Sequence, residues 1–105
     1  EVLRRLGNII LQGIRRADFP ARYGGEEVAV IFPETSIDQA AAMTERLRAD
    51  VCQQFTASGP KITVSIGISC IHEPDTVTAS ELVRQADKAL YEVKRTGKNR
   101  VGRSA

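Results

Sequence analysis

Residues 23–32 read YGGEEVAVIF, a glycine pair followed by two acids and an apolar run. Gly24 and Gly25 separate a brief strand at residues 22–23 from a longer one at residues 27–33. Paired glycines between two strand-like runs predict a tight hairpin, because glycine adopts positive φ without steric cost. The second strand is apolar on both faces, which predicts a central strand that is covered on both sides.

Glu26 and Glu27 lie at the tip of this hairpin, where two adjacent carboxylates repel each other and gain nothing from packing. A cation would offset that cost, most economically a divalent metal that carries phosphates. The glycines beside them would let a ligand touch the main chain, since no Cβ is in the way. The alternative is a charged, solvated turn without a ligand, and the letters GGEE alone do not decide between the two.

The composition is that of one ordinary globular domain, residues 1–105, with 42% hydrophobic and 27% charged residues. A formal net charge of +2 gives no general case for a nucleic-acid partner, and we expect none. We expect a cytoplasmic domain, and whether a longer parent protein is attached to a membrane stays open. Cys52 and Cys70 have no CxxC spacing, which favours reduced thiols, with a disulfide as the alternative. His72 is the single histidine, so a histidine-based metal site or triad has little support.

Three helices are predicted from apolar spacing and capping residues. Apolar residues at three- and four-residue steps predict an amphipathic helix over residues 2–16. Capping boxes begin the second helix at residues 36–39 and the third at residues 78–81. The second runs to about residue 54, and the third ends before Gly97, a residue suited to the position just past a helix. The apolar stripe of the second helix consists of Ala40, Met43, Leu47 and Val51.

Two further strands complete the expected fold. Residues 62–70 alternate apolar with small or polar residues, and the small-residue face predicts that another element packs very close to it. Residues 99–103 predict a short final strand. The order α-β-β-α-β-α-β indicates a layered α+β domain with a mainly antiparallel sheet. Because the chain opens inside a helix and leaves strand edges unpaired, we expect a domain that lacks its first strand.

Several blocks of the chain occur together in one known family. Arg15 and Asp18 precede the glycine pair by a five-residue gap, and residues 63–68, 86–91 and 97–101 read TVSIGI, ADKALY and GKNRV. With these blocks the chain resembles the GGDEF domain of bacterial diguanylate cyclases over essentially its whole length. The resemblance implies a nucleotide-cyclase-like (ferredoxin-like) fold. It also implies that two such domains, each holding one GTP, face each other as a homodimer and form cyclic di-GMP with loss of two pyrophosphates.

The same resemblance implies roles for residues of the substrate site. Gly24 and Gly25 would let the nucleotide lie against the main chain. Glu26 would be associated with Mg²⁺ (or Mn²⁺) and is the candidate general base, while Glu27 would be a further metal ligand. Which of the two acids contributes more stays open.

Lys94 and Lys98 fall where the family places the cations that bind the triphosphate. The alternative for both lysines is a structural one, because a helix dipole favours cations near its C-terminus by roughly 0.3–1 kcal/mol. The helix dipole explains Lys98 less well, since this lysine lies beyond the predicted helix. Family members commonly carry arginine at this position, and lysine lacks the bidentate option.

Arg15 and Asp18 match the RxxD product-inhibition site of the family, which binds cyclic di-GMP. Arg46 matches a secondary arginine that reaches product bound to the facing domain. A guanidinium can bind a phosphate or a guanine edge at two points, and a carboxylate can accept from guanine N–H groups. The alternative is a surface ion pair at the end of the first helix, which would be worth little.

The chain departs from the family pattern in two respects. Val28 stands where phenylalanine is usual, and a smaller residue in a buried strand is expected to weaken packing. The strand that carries a further metal-binding aspartate in the family has no counterpart here. We therefore expect a diguanylate cyclase in the parent protein and no activity in these residues alone. A degenerate module that senses cyclic di-GMP through its RxxD site is the alternative, and a purely architectural dimerisation domain is a third possibility.

Overall fold

A computed structural model describes residues 2–24, 27–58, 61–71 and 77–104 of the chain. Within these ranges the helices and strands follow one another in the predicted order α-β-β-α-β-α-β. Their bounds are α1 (Val2–Gly13), β1 (Phe19–Gly24), β2 (Glu27–Ile31), α2 (Ile37–Ser58), β3 (Ile66–Ile68), α3 (Ala79–Thr96) and β4 (Val101–Arg103). The α+β class predicted from the sequence is confirmed.

The four described strands form two pairs. β1 and β2 pair antiparallel, from Phe19 opposite Ile31 to Gly24 opposite Glu27, as the hairpin prediction requires. β3 and β4 form a shorter parallel pair in which Ile66 lies opposite Val101. The expectation of mainly antiparallel pairing therefore holds for the longer pair, and β3–β4 differs because α3 returns the chain to the same end of the sheet.

The best-buried part of the core lies between α1 and α2. Leu47, Val51 and Phe55 follow one another at four-residue steps on α2, so they share one face of the helix. This face packs with Ile9 of α1, and Val51 and Phe55 are fully buried. Each such side chain contributes about 1.5–3 kcal/mol to the free energy of unfolding when it is removed from water. Of the predicted apolar stripe on α2, Leu47 and Val51 thus face this core, Ala40 is also buried, and Met43 is half-buried.

Capping residues at three of the predicted helix ends make the expected hydrogen bonds. At the start of α2, Ser36 N donates to Gln39 Oε1 over 3.0 Å, and Gln39 N donates to Ser36 Oγ over 3.1 Å, which is a complete capping box. At α3, Glu81 N donates to Thr78 Oγ1 over 3.1 Å. Gly97 caps the C-terminus with φ of 138°, as predicted.

α3 packs directly on the main chain of β3. A Cβ on Gly67 would lie 2.8 Å from the Cα of Leu90 and closer still to Leu90 N and Ala86 O. Two residues further along the chain, Ser69 Oγ donates to the Leu82 carbonyl over 2.7 Å. The small-residue face of this strand therefore has the close neighbour that the pattern predicted.

Several sequence expectations about element lengths and burial are wrong. β1 begins at Phe19 and not at residue 22, and α2 continues to Ser58 and does not end near residue 54. α1 ends at Gly13 and not at residue 16, because Arg15 N donates to the Asp18 carboxylate in a turn after the helix. The strand predicted over residues 62–70 is reduced to Ile66–Ile68, the segment that β4 pairs with. The expected burial of residues 27–33 on both faces also fails, since β2 pairs only with β1 among the described strands.

Val28 shows the consequence of the exposure of β2. Its side chain is 48% exposed, and that of Ile31 is 64% exposed. Valine in place of phenylalanine is expected to weaken packing only where position 28 is buried. In the described part of the chain this position is exposed, so the packing cost does not apply. Both cysteines are free thiols, as predicted. Across the described residues, no helix has the length and apolar character needed to cross a membrane.

Candidate functional site

The hairpin places Gly24 directly opposite Glu27. Gly24 is the last residue of β1, Glu27 is the first residue of β2, and the register shifts between Arg22 and Gly24. The Glu27 side chain is exposed to solvent. Gly25 and Glu26, predicted to bind nucleotide and metal, lie outside the described residues. The structure thus confirms the hairpin while the assigned roles at its tip stay predictions.

The donor set at this hairpin suits a hard cation. Glu27 offers an exposed carboxylate, and carboxylate oxygen is the ligand type that Mg²⁺ and Mn²⁺ accept in proteins. In the described ranges no group of three or more His, Cys, Asp or Glu side chains converges on a point. Glu27 could therefore supply carboxylate oxygens to a cation, and the metal-binding roles of Glu26 and Glu27 stay predictions.

Arg15 and Asp18 meet in a tight turn immediately after α1. Asp18 N donates to the Arg15 carbonyl over 3.0 Å, and Arg15 N donates to Asp18 Oδ2 over 2.7 Å. Arg15 Nη2 then forms an ion pair with Asp18 Oδ1 at 2.8 Å, and Arg15 Nε lies 3.2 Å from both carboxylate oxygens. The Asp18 side chain is fully buried, whereas that of Arg15 is 46% exposed.

This geometry differs from a simple surface ion pair. Because Asp18 is buried and accepts from both the main chain and the side chain of Arg15, its orientation is fixed. The side-chain hydrogen bond from Arg15 holds the pKa of the Asp18 carboxyl below its usual value, against an opposing effect of burial. The carboxylate therefore stays ionised and keeps the guanidinium in place.

Thr35 is a member of this site that sequence reasoning missed. Its Oγ1 accepts from Arg15 Nη2 over 2.5 Å and donates to the Pro33 carbonyl over 2.8 Å. Arg15 Nη2 also lies 3.4 Å from that carbonyl. The loop after β2 therefore holds the guanidinium through contacts additional to those with Asp18. The residues are twenty positions apart, and the local sequence gives no signal of this contact.

The predicted phosphate-binding lysines lie at the end of α3. Lys94 is in its last turn and Lys98 is the second residue after it, and both side chains are exposed. Lys98 has a φ of 60° and its N–H donates to the Val93 carbonyl over 2.9 Å. Arg95, by contrast, pairs with Glu92 at 2.7 Å on the surface of the same helix.

Arg46 lies on α2, where its side chain is exposed as a product-binding role requires. Two residues further along, Arg48 is only 19% exposed and pairs with Glu45 at 2.6 Å. Its Nη1 donates to Asn99 Oδ1 over 2.9 Å. This contact between α2 and the segment that carries Lys98 was also missed from the sequence, since the two residues are 51 positions apart.

The structure therefore brings some predicted residues into contact and leaves others apart. Arg15 and Asp18 bind each other directly. For the described residues, no hydrogen bond or ion pair joins Glu27 to Lys94 or Lys98. An anionic ligand would be needed to link these two groups, because it could bind the lysines directly and the acids through a metal ion.

Comparison with known proteins identifies the family of this chain. The family model described as "Diguanylate cyclase, GGDEF domain" matches residues 1–100. Diguanylate cyclase A of Treponema denticola is 45% identical over 103 residues, which are 95% of this chain and 28% of that protein. The first relatives are much longer, since the chain spans between 17% and 29% of their length.

Solved structures show the same fold. The coiled coil and GGDEF domain of DgcB from Caulobacter crescentus, in complex with c-di-GMP, matches with a TM-score of 0.86 at 31% identity. That match covers 98% of this chain and 56% of the other. The active GGEEF domain of a diguanylate cyclase from Vibrio cholerae matches with a TM-score of 0.88 at 28% identity, covering 99% and 67%. From its sequence match and its fold together, the chain belongs to the GGDEF domain family of diguanylate cyclases.

Proposed function

We propose that this chain is the catalytic domain of a diguanylate cyclase, which condenses two GTP molecules into cyclic di-GMP as a homodimer. The observation that supports it most is the pairing of Gly24 with Glu27 at the end of the β1–β2 hairpin. This register makes Glu27 the first residue of β2, and Glu26 precedes it directly in the sequence. A cytoplasmic location belongs to the same proposal.

The reaction assigns a separate task to each group of residues. The 3′-hydroxyl of one GTP attacks the α-phosphorus of the other, pyrophosphate leaves, and the hydroxyl proton passes to a base. Glu26 is the proposed base, and Glu26 with Glu27 would hold Mg²⁺ (or Mn²⁺). When bound, the metal neutralises charge on the phosphates. Lys94 and Lys98 bind the triphosphate as point charges.

The glycines and the second domain complete the proposed site. Gly24 and Gly25 leave room for the nucleotide against the main chain, since neither carries a Cβ. A second copy of the domain supplies the other GTP, so each domain contributes one half of the product. Neither half-reaction proceeds unless the two domains face each other.

The test is product formation by the intact protein with GTP and magnesium, followed by chromatography of cyclic di-GMP and by pyrophosphate release. Glu26→Gln and Glu27→Gln are expected to lower kcat by roughly 100-fold or more, because loss of a base or a metal ligand costs that much. Glu34→Gln, which alters an exposed acid in the loop after β2, is the matched control. Wild-type protein that releases only background pyrophosphate would reject the proposal. Residues 1–105 alone are expected to form no product.

A second candidate is a module that binds cyclic di-GMP through Arg15, Asp18 and Arg46 without making it. The buried Asp18 and the fixed guanidinium of Arg15 favour this candidate, because such a pair is prepared for a ligand without help from the hairpin. Calorimetry with cyclic di-GMP should show binding by the wild type and a loss of roughly tenfold or more with Arg15→Ala. Arg16→Ala, which removes the adjacent exposed arginine, is the control. An unchanged affinity in Arg15→Ala would exclude the candidate.

A further inference from the structure

The segment that follows α3 has an unusual main-chain conformation. Three consecutive residues have positive φ: Gly97 at 138°, Lys98 at 60° and Asn99 at 49°. A positive φ brings the Cβ of an L-residue close to its own main chain, and lysine, unlike asparagine, has no side-chain group that relieves this locally. Two successive non-glycine residues of this kind persist only where surrounding contacts hold them.

Three of these contacts are made with Val93 of α3 and with residues 65 and 66 at the start of β3. The N–H of Lys98 donates to the Val93 carbonyl over 2.9 Å, which closes the end of α3. The N–H of Asn99 donates to Ser65 Oγ over 3.1 Å. Ile66 N then donates to the Arg100 carbonyl over 3.1 Å, where the parallel pairing of β3 and β4 begins. These bonds hold the main chain on both sides of Lys98.

A fourth contact comes from α2 and joins two side chains. Arg48 Nη1 donates to Asn99 Oδ1 over 2.9 Å, while Nε and Nη2 donate to Glu45 over 2.9 and 2.6 Å. The guanidinium is thus fixed on its own helix by one edge and bound to Asn99 by the other. Asn99 is in turn held by both its side chain and its main chain.

Two arginines of α3, Arg84 and Arg95, differ from Arg48 in this respect. Arg84 pairs with Glu81 and Arg95 with Glu92 at the same three-residue spacing, but their side chains are 64% and 59% exposed. Arg48 is 19% exposed and its third contact crosses to another element. An ion pair on a helix surface accounts for Arg84 and Arg95 and leaves the bond from Arg48 to Asn99 unexplained.

We propose that Arg48 is a positioning residue for Lys98, and that it acts through Asn99. By fixing Asn99 it holds the left-handed conformation at Lys98 and so the direction in which the lysine leaves the end of α3. The inference rests on the proposed function, in which Lys98 binds the triphosphate of GTP. Arg48 itself does not touch the nucleotide. Such a contact contributes to binding by placing the charged group of Lys98 to within a fraction of an ångström.

The test compares Arg48→Ala, Asn99→Gly and the double variant in the intact protein. Glycine accepts the positive φ at residue 99, so Asn99→Gly removes the contact without straining the main chain. Each single variant should raise KM for GTP roughly tenfold and change kcat less than about threefold. The double variant should be no worse than either single one, because both remove the same contact. Arg84→Ala, which removes the matched but exposed ion pair, should leave KM unchanged.

A second measurement does not depend on catalysis. Amide hydrogen exchange at Lys98 and Asn99 should accelerate in Arg48→Ala and Asn99→Gly, and stay at the wild-type rate in Arg84→Ala. A general loss of stability would accelerate exchange in α2 and β3 as well, so the pattern separates positioning from unfolding. Where Arg48→Ala does not fold, Asn99→Gly alone carries both measurements.

The outcomes separate this inference from the proposed function. An unchanged KM in both single variants, additive losses in the double variant, or unaltered exchange at Lys98 and Asn99 would each overturn the role of Arg48. If the wild-type protein binds GTP with magnesium by calorimetry but forms no product, the enzymatic proposal fails. The Kd for GTP then replaces KM in the same comparison. A wild-type protein that neither binds GTP nor forms product would reject both the proposed function and the role of Arg48.

Discussion

Gly67 of β3 touches the main chain of α3 at Leu90, with no space for a side chain between them. The contact involves main-chain atoms on both sides, so neither partner can move aside by rotating a side chain. It sets how closely α3 lies on the β3–β4 pair. The position of Lys94 and Lys98 at the far end of α3 depends on it.

Gly67→Ala is therefore expected to destabilise the domain by about 3 kcal/mol or more, at the upper end of what overpacking costs. Urea unfolding followed by circular dichroism measures the change. Gly7→Ala on α1 is the matched control, since a Cβ there meets nothing within 4 Å. It should be neutral or stabilise by up to about 1 kcal/mol through helix propensity. A Gly67→Ala variant as stable as the wild type would contradict the contact.

The stabilising effect of Asp18 is expected to depend on pH in one direction. Its pKa is lower in the folded chain than in the unfolded chain, where it lies near 3.9, because Arg15 hydrogen-bonds the ionised form. The contribution of Asp18 to stability is thus fully present above about pH 4 and is lost as the pH falls through the folded-state pKa.

The stability difference between the wild type and Asp18→Asn should accordingly shrink as the pH is lowered from 7 to below 4. Urea titrations at several pH values measure it. In an Arg15→Ala background the same substitution should show a weaker pH dependence, since the hydrogen bond that lowers the pKa is gone. A difference that grows towards low pH would show that Asp18 is not stabilised as the anion.

Thr35→Val should weaken binding of cyclic di-GMP about three- to tenfold. Valine has nearly the same shape as threonine but cannot accept the hydrogen bond from Arg15 Nη2, so the guanidinium loses this contact with the loop after β2. Calorimetry measures the affinity. Thr35→Ser retains the hydroxyl and is expected to bind like the wild type. Equal loss in both variants would show that the methyl group, and not the hydrogen bond, matters.

Lys98→Arg is expected to lower KM for GTP a few-fold. A guanidinium can bind two phosphate oxygens at once, whereas the ammonium of lysine acts as a point charge. Lys88→Arg, on the exposed surface of α3, makes the same chemical change away from the helix end and should have no effect. Steady-state kinetics of cyclic di-GMP formation decide the matter. A raised KM in Lys98→Arg would argue that the position does not contact phosphate.

Local signals in the sequence were sufficient for the order of elements and for most helix ends. Ser36 with Gln39, Thr78 and Gly97 each make the hydrogen bonds that their residue types predict. Such bonds join residues three to four positions apart, so their signature is contained in a short segment. The hairpin at Gly24 was predictable for the same reason.

Burial and long-range contacts could not be predicted in this way. Val28 has the residue type of a buried strand, but its exposure depends on which strands lie beside β2. Thr35 and Arg48 contact Arg15 and Asn99 across 20 and 51 positions, and nothing near them in the sequence identifies those partners. The candidate residues were therefore found by their motif, whereas the residues that hold them were found only in the structure.

The contact between Arg48 and Asn99 also has a consequence for folding. It closes a loop of 51 residues, and long loops are closed only after local elements have formed and met. We expect Lys98 to acquire its native orientation after α2, β3 and α3 have assembled. A partly folded chain would contain its helices yet bind nucleotide poorly. The ability to bind GTP would therefore report on completion of the tertiary structure rather than on helix content.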